Sequence, residues 1–248
     1  MLVVVSLGPG DESLMAPAAR QALEGADAVV GYRGYIELVS GDLLEGKEVV
    51  ATGMRGEVER VTSAVELAAS GRNVALVCSG DAGIYAMAGL ALEILESRGL
   101  LASVPFRVIP GIAAFNAAAA LLGAPLMHDF ASVSLSDLLT PWETIERRIE
   151  AAASADFVLA LYNPRSRKRR EQLPRALEIV ARHRSASTPV GIVSRAARPG
   201  EKVTVTELAA VDPEAVDMQT VVLIGNSATR RTGEYLLTPR GYHDKYEY

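Results

Sequence analysis

The chain has 248 residues, 49% of them apolar and 22% charged, with a net charge of -5 and one cysteine. Those proportions describe an ordinary folded globular protein, and a lone Cys78 excludes an internal disulfide or a cysteine-built metal centre. Net charge is -6 up to Gly111 and +1 beyond it, so neither part has the basic excess of a general nucleic-acid binder.

His128, His183 and His243 lack metal-ligand spacing, so no metal is expected. No basic leader precedes residue 2, and no apolar run approaches the ~18 residues that span a bilayer. The expectation is a soluble, cytoplasmic protein.

In chain order, residues 2–7 (Leu-Val-Val-Val-Ser-Leu) read as a buried strand and 13–23 as a helix with Pro17 in its first turn. Strands follow at 26–30 and 48–51, then a helix over 58–70 closed by Gly71. Residues 73–78 form a fourth strand, with Cys78 as plain core. A helix over 85–97 ends at Gly99, and 106–109 is a fifth strand. Strands alternating with helices imply parallel pairing through right-handed crossovers. Pro110-Gly111 punctuates the chain, and the domain boundary is placed there, giving domains 1–112 and 113–248.

An alanine-rich helix spans 113–122. Beyond it 133–135, 157–162, 190–193, 203–206 and 221–224 read as strands, and 142–153 and 169–183 as helices. Pro199-Gly200 marks a hairpin, so the second sheet is mixed. Thr140, Pro141 and Glu143 form the signature of a capping box. The tyrosine-rich last ten residues are expected to be poorly ordered.

Two glycine-aspartate loops follow apolar strands: Gly8-Pro9-Gly10-Asp11 and Gly80-Asp81-Ala82-Gly83. Glycine at the carboxyl end of a strand lets backbone approach a ligand, and open α/β sheets bind ligands at that edge. The first loop is neither a dinucleotide fingerprint, since Ser13 stands where a third glycine is needed, nor a P-loop, since Asp11-Glu12 follows Gly10. It reads equally as a tight turn in which Asp11 or Ser13 caps the next helix. Asp81 suits a cationic or polyhydroxylated ligand, or else caps the helix that begins near Ile84. Residues 165–170 place five cations in six positions, where a polyanion grip competes with a solvated basic loop. Ser194, Arg195 and Arg198 stand at the end of another strand, and Ser134, Ser136 and Asp137 remain available to a ligand.

Together these strings resemble the tetrapyrrole (corrin/porphyrin) methylases. Leu7-Gly-Pro-Gly-Asp11, Gly80-Asp81-Ala-Gly-Ile-Tyr85 and Val108-Ile-Pro-Gly-Ile-Ala-Ala114 look like family-wide signatures. His128-Asp-Phe130, Ser134-Leu-Ser-Asp-Leu-Leu-Thr-Pro-Trp-Glu143 and Ala160-Leu-Tyr-Asn-Pro-Arg165 are similar to its precorrin-3B C(17)-methyltransferase branch.

The resemblance implies two α/β domains, a mostly parallel N-terminal sheet and a mixed C-terminal one, with S-adenosylmethionine held in a cleft between them, and a homodimer. It implies methylation of carbon 17 of precorrin-3B with ring contraction to precorrin-4, a step of cobalamin biosynthesis, S-adenosylhomocysteine being the other product. A cobalt-containing factor replaces precorrin-3B in the cobalt-first pathway. The chain has neither the long iron-sulfur extension of some members there nor its cysteines, which favours the metal-free substrate.

By position, Gly80, Asp81, Ile84, Ala113 and Ala114 would line the donor pocket. Leu161, Tyr162, Ser194, Arg195, Gly225 and Asn226 would join from the second domain. Pro9 borders both donor and substrate mouth, near Asp11. Ser134, Arg165, Arg167 and Arg169 would meet substrate carboxylates, and Asp11, Ser136 and Asp137 are the candidates for proton transfer. A non-catalytic tetrapyrrole- or adenosyl-binding module, or another methylase of the same fold, stands as the alternative.

Overall fold

The computed structural model describes residues 1–247. They form two compact units, Met1–Ala114 and the chain from Phe115 on.

The first unit is a five-stranded, wholly parallel sheet. Its strands are β1 (Leu2–Ser6), β2 (Ala28–Tyr32), β3 (Glu48–Thr52), β4 (Val74–Cys78) and β5 (Phe106–Ile109), in the spatial order β3-β2-β4-β1-β5. The alternation of side chains along a strand, with both faces covered, explains why the central strands β1, β2 and β4 are almost wholly apolar, whereas the edge strands carry Glu48 and Arg107. Leu2, Val4, Val30 and Leu76 face one layer, made by α3 (Glu57–Ala69) and α4 (Met87–Ser97). Val3, Val5, Val29 and Val77 face the other, made by α1 (Pro17–Glu24) and α2 (Arg33–Ile36). Both faces are covered, so the unit's ligand-accessible backbone lies at the strand ends.

The second unit opens with α5 (Ala114–Leu122), most of which lies beyond the division. It has a five-stranded mixed sheet of β7 (Phe130–Ser134), β8 (Val158–Tyr162), β9 (Pro189–Ser194), β10 (Lys202–Glu207) and β11 (Thr220–Ile224), ordered β10-β9-β11-β8-β7. Only β7 and β8 pair in parallel. α6 (Trp142–Ser154) and α7 (Gln172–Ala181) cover one face through Ile145, Ile149, Leu173 and Ile179. On the other face Leu122 of α5 meets Gly191 of β9 so closely that no β-carbon fits there. A small sheet of β6 (Gly123–Ala124), β12 (Arg230–Thr232) and β13 (Tyr235–Leu237) completes the unit; nothing in the residue pattern announces it.

Several sequence expectations shift. The first helix divides: residues 12–14 form a 3-10 turn capped by Asp11, and Pro17 becomes the first residue of α1. The helix expected from residue 85 starts at Met87, because Tyr85 is left-handed with φ 53°. Pro141, with no side-chain capping bond, is the N-cap of α6, so the Thr140–Glu143 capping box does not form. The helix expected from residue 169 starts at Gln172. The basic run therefore lies in the loop that precedes α7. In the tail, Tyr242–Asp244 forms a 3-10 turn, and Tyr248 lies outside the described residues.

Candidate functional site

Three loops at the carboxyl ends of β1, β4 and β5 are stitched into one backbone platform. Gly80 N–H donates to Gly8 O at 2.7 Å, and Gly8 N–H returns to Gly80 O at 3.2 Å. The buried Ser6 hydroxyl accepts from Ala82 N–H at 2.8 Å. Asp81 uses both carboxylate oxygens: Oδ1 accepts from Gly83 N–H at 2.8 Å and Oδ2 from Gly111 N–H at 2.9 Å. Asp81 thus ties the β4 loop to the β5 loop and does not cap α4, whose N-cap is Ala86.

Gly111 must be glycine, since a β-carbon would stand 2.5 Å from Ser6 Cβ and 2.6 Å from Gly80 O. At Gly80, with φ 70°, a β-carbon would project over Ala113 and Ala114, whose nearest backbone atoms are 3.8 and 3.6 Å away. One glycine and two alanines therefore leave a shelf that carries nothing larger than a methyl group. Ala113 is buried, whereas Ala114 and Ile84 are half-buried.

Pro9 is buried beside this platform. Asp11 is exposed, and its Oδ1 accepts from both the Ser13 hydroxyl (2.6 Å) and Ser13 N–H (2.8 Å). The Ser13 hydroxyl, then its N–H, hold the Asp11 carboxyl below the usual carboxylate range, which makes it a poor proton acceptor at neutral pH. Burial pushes the Cys78 thiol up to about 11, so it stays protonated as core.

In the second unit the strand directions bring the carboxyl ends of β7, β8 and β9 to one sheet edge, with the start of β11 among them. There the Ser134 hydroxyl accepts from Asn163 Nδ2 at 2.9 Å and from Ser136 N–H at 3.2 Å. The buried Arg169 guanidinium donates to Ser136 Oγ (3.3 Å), Asn163 O (3.0 Å) and the Met218 sulfur (3.0 Å). Burial pushes that guanidinium down from its usual range, and the Asp137 charge pulls it back. Asp137 Oδ2 accepts from Gln172 Nε2 at 2.8 Å. Leu138 and Leu139, next in sequence, are 78% and 93% exposed. Ser134, Ser136, Asp137 and Arg169 are thus brought together as one cluster.

The other expected residues separate. Arg165 is committed to Pro213 O at 3.0 Å and to an ion pair with Glu214, whereas Arg167 is exposed. Leu161 points into the core. The Tyr162 hydroxyl accepts from Phe115 N–H at 2.9 Å, at the start of α5. Ser194 pairs with Thr220 at 2.6 Å, and Arg195 Nε donates to Gln219 at 2.9 Å, on the same edge as Ser134. Gly225 and Asn226 fall at the far end of β11, five residues past Thr220, the partner of Ser194. At about 3.3 Å per residue that is roughly 16 Å away. Asn226 is buried there in a turn with Ala228 and Thr229. An antiparallel strand carries its two ends to opposite edges.

Asn163 is the residue that sequence reasoning passed over. Its position between a strand and a proline, as a residue type that tolerates left-handed backbone, was the available signal. Among the described residues, non-glycine positive φ values occur at Arg55, Tyr85, Asp156, Asn163, Arg195 and Ala197. Arg55, Tyr85, Asn163 and Arg195 all follow the carboxyl ends of strands. Such strain concentrates at functional sites.

The chain is similar to known proteins along most of its length. The family model described as Tetrapyrrole (Corrin/Porphyrin) Methylases matches residues 1–212. A Salmonella typhimurium protein named probable cobalt-factor III C(17)-methyltransferase is 51% identical, covering 98% of this chain and 99% of its own. The cobalt-factor III methyltransferase of Priestia megaterium is 47% identical over 99% of this chain, which spans only 46% of that longer protein. The crystal structure of the methyltransferase CobJ superposes with a TM-score of 0.91 at 43% identity, covering 96% of this chain and 99% of that one. With its two α/β units, one sheet parallel and one mixed, the chain belongs to the tetrapyrrole methylases.

Proposed function

We propose that this chain transfers a methyl group from S-adenosylmethionine to carbon 17 of a corrin precursor, with ring contraction, in cobalamin biosynthesis. The observation that carries this reading is the shelf at Gly80, Ala113 and Ala114, held by Asp81 and Gly111. When bound, S-adenosylmethionine supplies an electrophilic methyl group. The chain's part is to bind and orient, since an in-line displacement is accelerated chiefly by positioning.

Gly80, Ile84, Ala113 and Ala114 would hold the donor, with Asp81 fixing the loops that carry them. In the second unit Ser134, Ser136 and Arg167 would hold the macrocycle, whose acetate and propionate groups match the exposed guanidinium. The exposed Leu138 and Leu139 suit its apolar face. Ring contraction needs a group that holds a proton. Asp137 fills that role better than Asp11, because it stands in the cluster with Ser134, Ser136 and Arg169, whereas Asp11 is turned onto Ser13.

Two substrates are open to such an enzyme, one metal-free and one that holds cobalt. The Salmonella relative matches end to end and carries a cobalt-factor III name, which favours the cobalt form. The strings that resemble the precorrin-3B branch favour the metal-free form. Incubation with carbon-13 methyl-labelled S-adenosylmethionine and each substrate, followed by NMR of the product, tests the reading. Label at carbon 17 supports it and the preferred substrate fixes the metal state; no label in either product removes it. We also propose that the enzyme acts as a cytoplasmic homodimer, measurable by sedimentation.

A further inference from the structure

The side chain of Arg60, on α3, is buried at the carboxyl edge of the first sheet, the residue being 4% exposed. It forms no ion pair with any described residue. Its Nε donates to Thr52 Oγ1 at 2.7 Å, one Nη to Gly53 O at 3.0 Å, and the other lies 3.8 Å from the Met87 sulfur. The guanidinium carbon stands 5.8 Å from the centre of the Tyr32 ring. A buried cation without a carboxylate is costly. Here it joins the ends of β2 and β3 to the start of α4, and its grip on Gly53 O fixes the segment that follows.

That segment, Gly53-Met54-Arg55-Gly56, is unusual in where it places its strain. Two glycines flank it, yet the left-handed position is taken by Arg55, with φ 65°. Arg55 is exposed and has no hydrogen bond or ion pair among the described residues, and Met54 beside it is 68% exposed. Met54-Arg55 forms a turn whose left-handed corner glycine would fill at less cost, so the turn does not itself call for an arginine there. Its charge is therefore held out, at the end of a strand, on the edge that carries the donor shelf.

We propose that Arg55 binds a carboxylate of the macrocycle, and that Arg60 is the positioning residue that holds residues 53–56 so that it does. The inference rests on the proposed methylation, and its test has a readout independent of turnover. Equilibrium binding of precorrin-3B or its cobalt counterpart, followed by absorbance, is compared for wild type, Arg55→Gln, Arg60→Met and the double variant, with kinetics alongside.

Arg55→Gln should weaken macrocycle binding roughly tenfold, the loss of one charge-assisted contact, and leave the KM for S-adenosylmethionine unchanged. Arg60→Met should weaken it to a similar extent, and the double variant should be no weaker than Arg55→Gln alone. If Arg60→Met does not fold, Arg60→Lys, which keeps the charge and loses the fork, should show the same coupling in smaller measure. Unchanged macrocycle affinity in Arg55→Gln overturns the inference, as do multiplying effects in the double variant. A wild type that binds the macrocycle without transferring methyl would defeat the proposed reaction and leave this site standing. A wild type that binds no macrocycle would defeat both.

Discussion

Asp81 Oδ2 accepts the Gly111 N–H at 2.9 Å, and this one bond joins the loop after β4 to the loop after β5 across the end of β1. The bond needs close approach, which is why Gly111 has no room for a β-carbon. Gly111→Ala should destabilise the protein by about 1–3 kcal/mol, the usual cost of overpacking. Asp81→Asn keeps the shape and one acceptor and should cost about 1–2 kcal/mol. Urea denaturation measures both. In each variant affinity for S-adenosylhomocysteine should fall as well, since the shelf is built on these loops.

The basic loop divides by role. Arg165 holds Pro213 and Glu214 and has only 13% of its side chain exposed, while Arg167 is free to meet a ligand. Arg167→Ala should weaken macrocycle binding about tenfold with the melting temperature unchanged. Arg165→Ala should lower the melting temperature by a few degrees, about 1 kcal/mol in a chain of this size. Paired thermal scans and binding titrations separate the two.

Asp156 gives the second unit an acid-sensitive contact. Burial alone would push its carboxyl up, but the Ser227 hydroxyl and N–H, with the Arg184 guanidinium at 3.2 Å, outweigh that and hold it below the usual range. A depressed carboxyl stabilises the fold above its unfolded pKa and loses that contribution as pH falls through the folded value. The loss should therefore appear below about pH 4. Asp156→Asn should be less stable than wild type at pH 7, and the gap should close by about pH 2 to 3 in urea titrations.

Burial keeps the Cys78 thiol protonated up to about 11. In the folded protein it should resist a thiol reagent at pH 8 and react within the dead time once urea unfolds the chain. Rapid labelling under native conditions would contradict its place in the core.

Much of the first unit was legible because its central strands are buried on both faces, which writes them as apolar runs from Leu2 and Val74. Helix starts were less legible. Tyr85 and residues 169–171 carry helical composition, yet left-handed backbone at Tyr85 and the tertiary commitments of Arg169 delay α4 and α7. At the candidate site the glycine-aspartate loops and the serine cluster announced themselves through residue type and position. Partners far along the chain did not: Glu214 for Arg165 and Met218 for Arg169 are set by folding, not by spacing. That Gly225 and Asn226 stand at the opposite sheet edge from Ser194 follows from the antiparallel direction of β11, which spacing along the chain does not show.

The central claim is that the shelf at Gly80, Ala113 and Ala114 receives the adenosyl donor. Calorimetric titration of S-adenosylhomocysteine into wild type and Ala114→Leu tests it most directly. One ligand bound per chain in wild type, and at least a tenfold loss in a variant that melts at the same temperature, is the predicted result. Equal affinity in the two proteins would place the donor elsewhere and contradict the account.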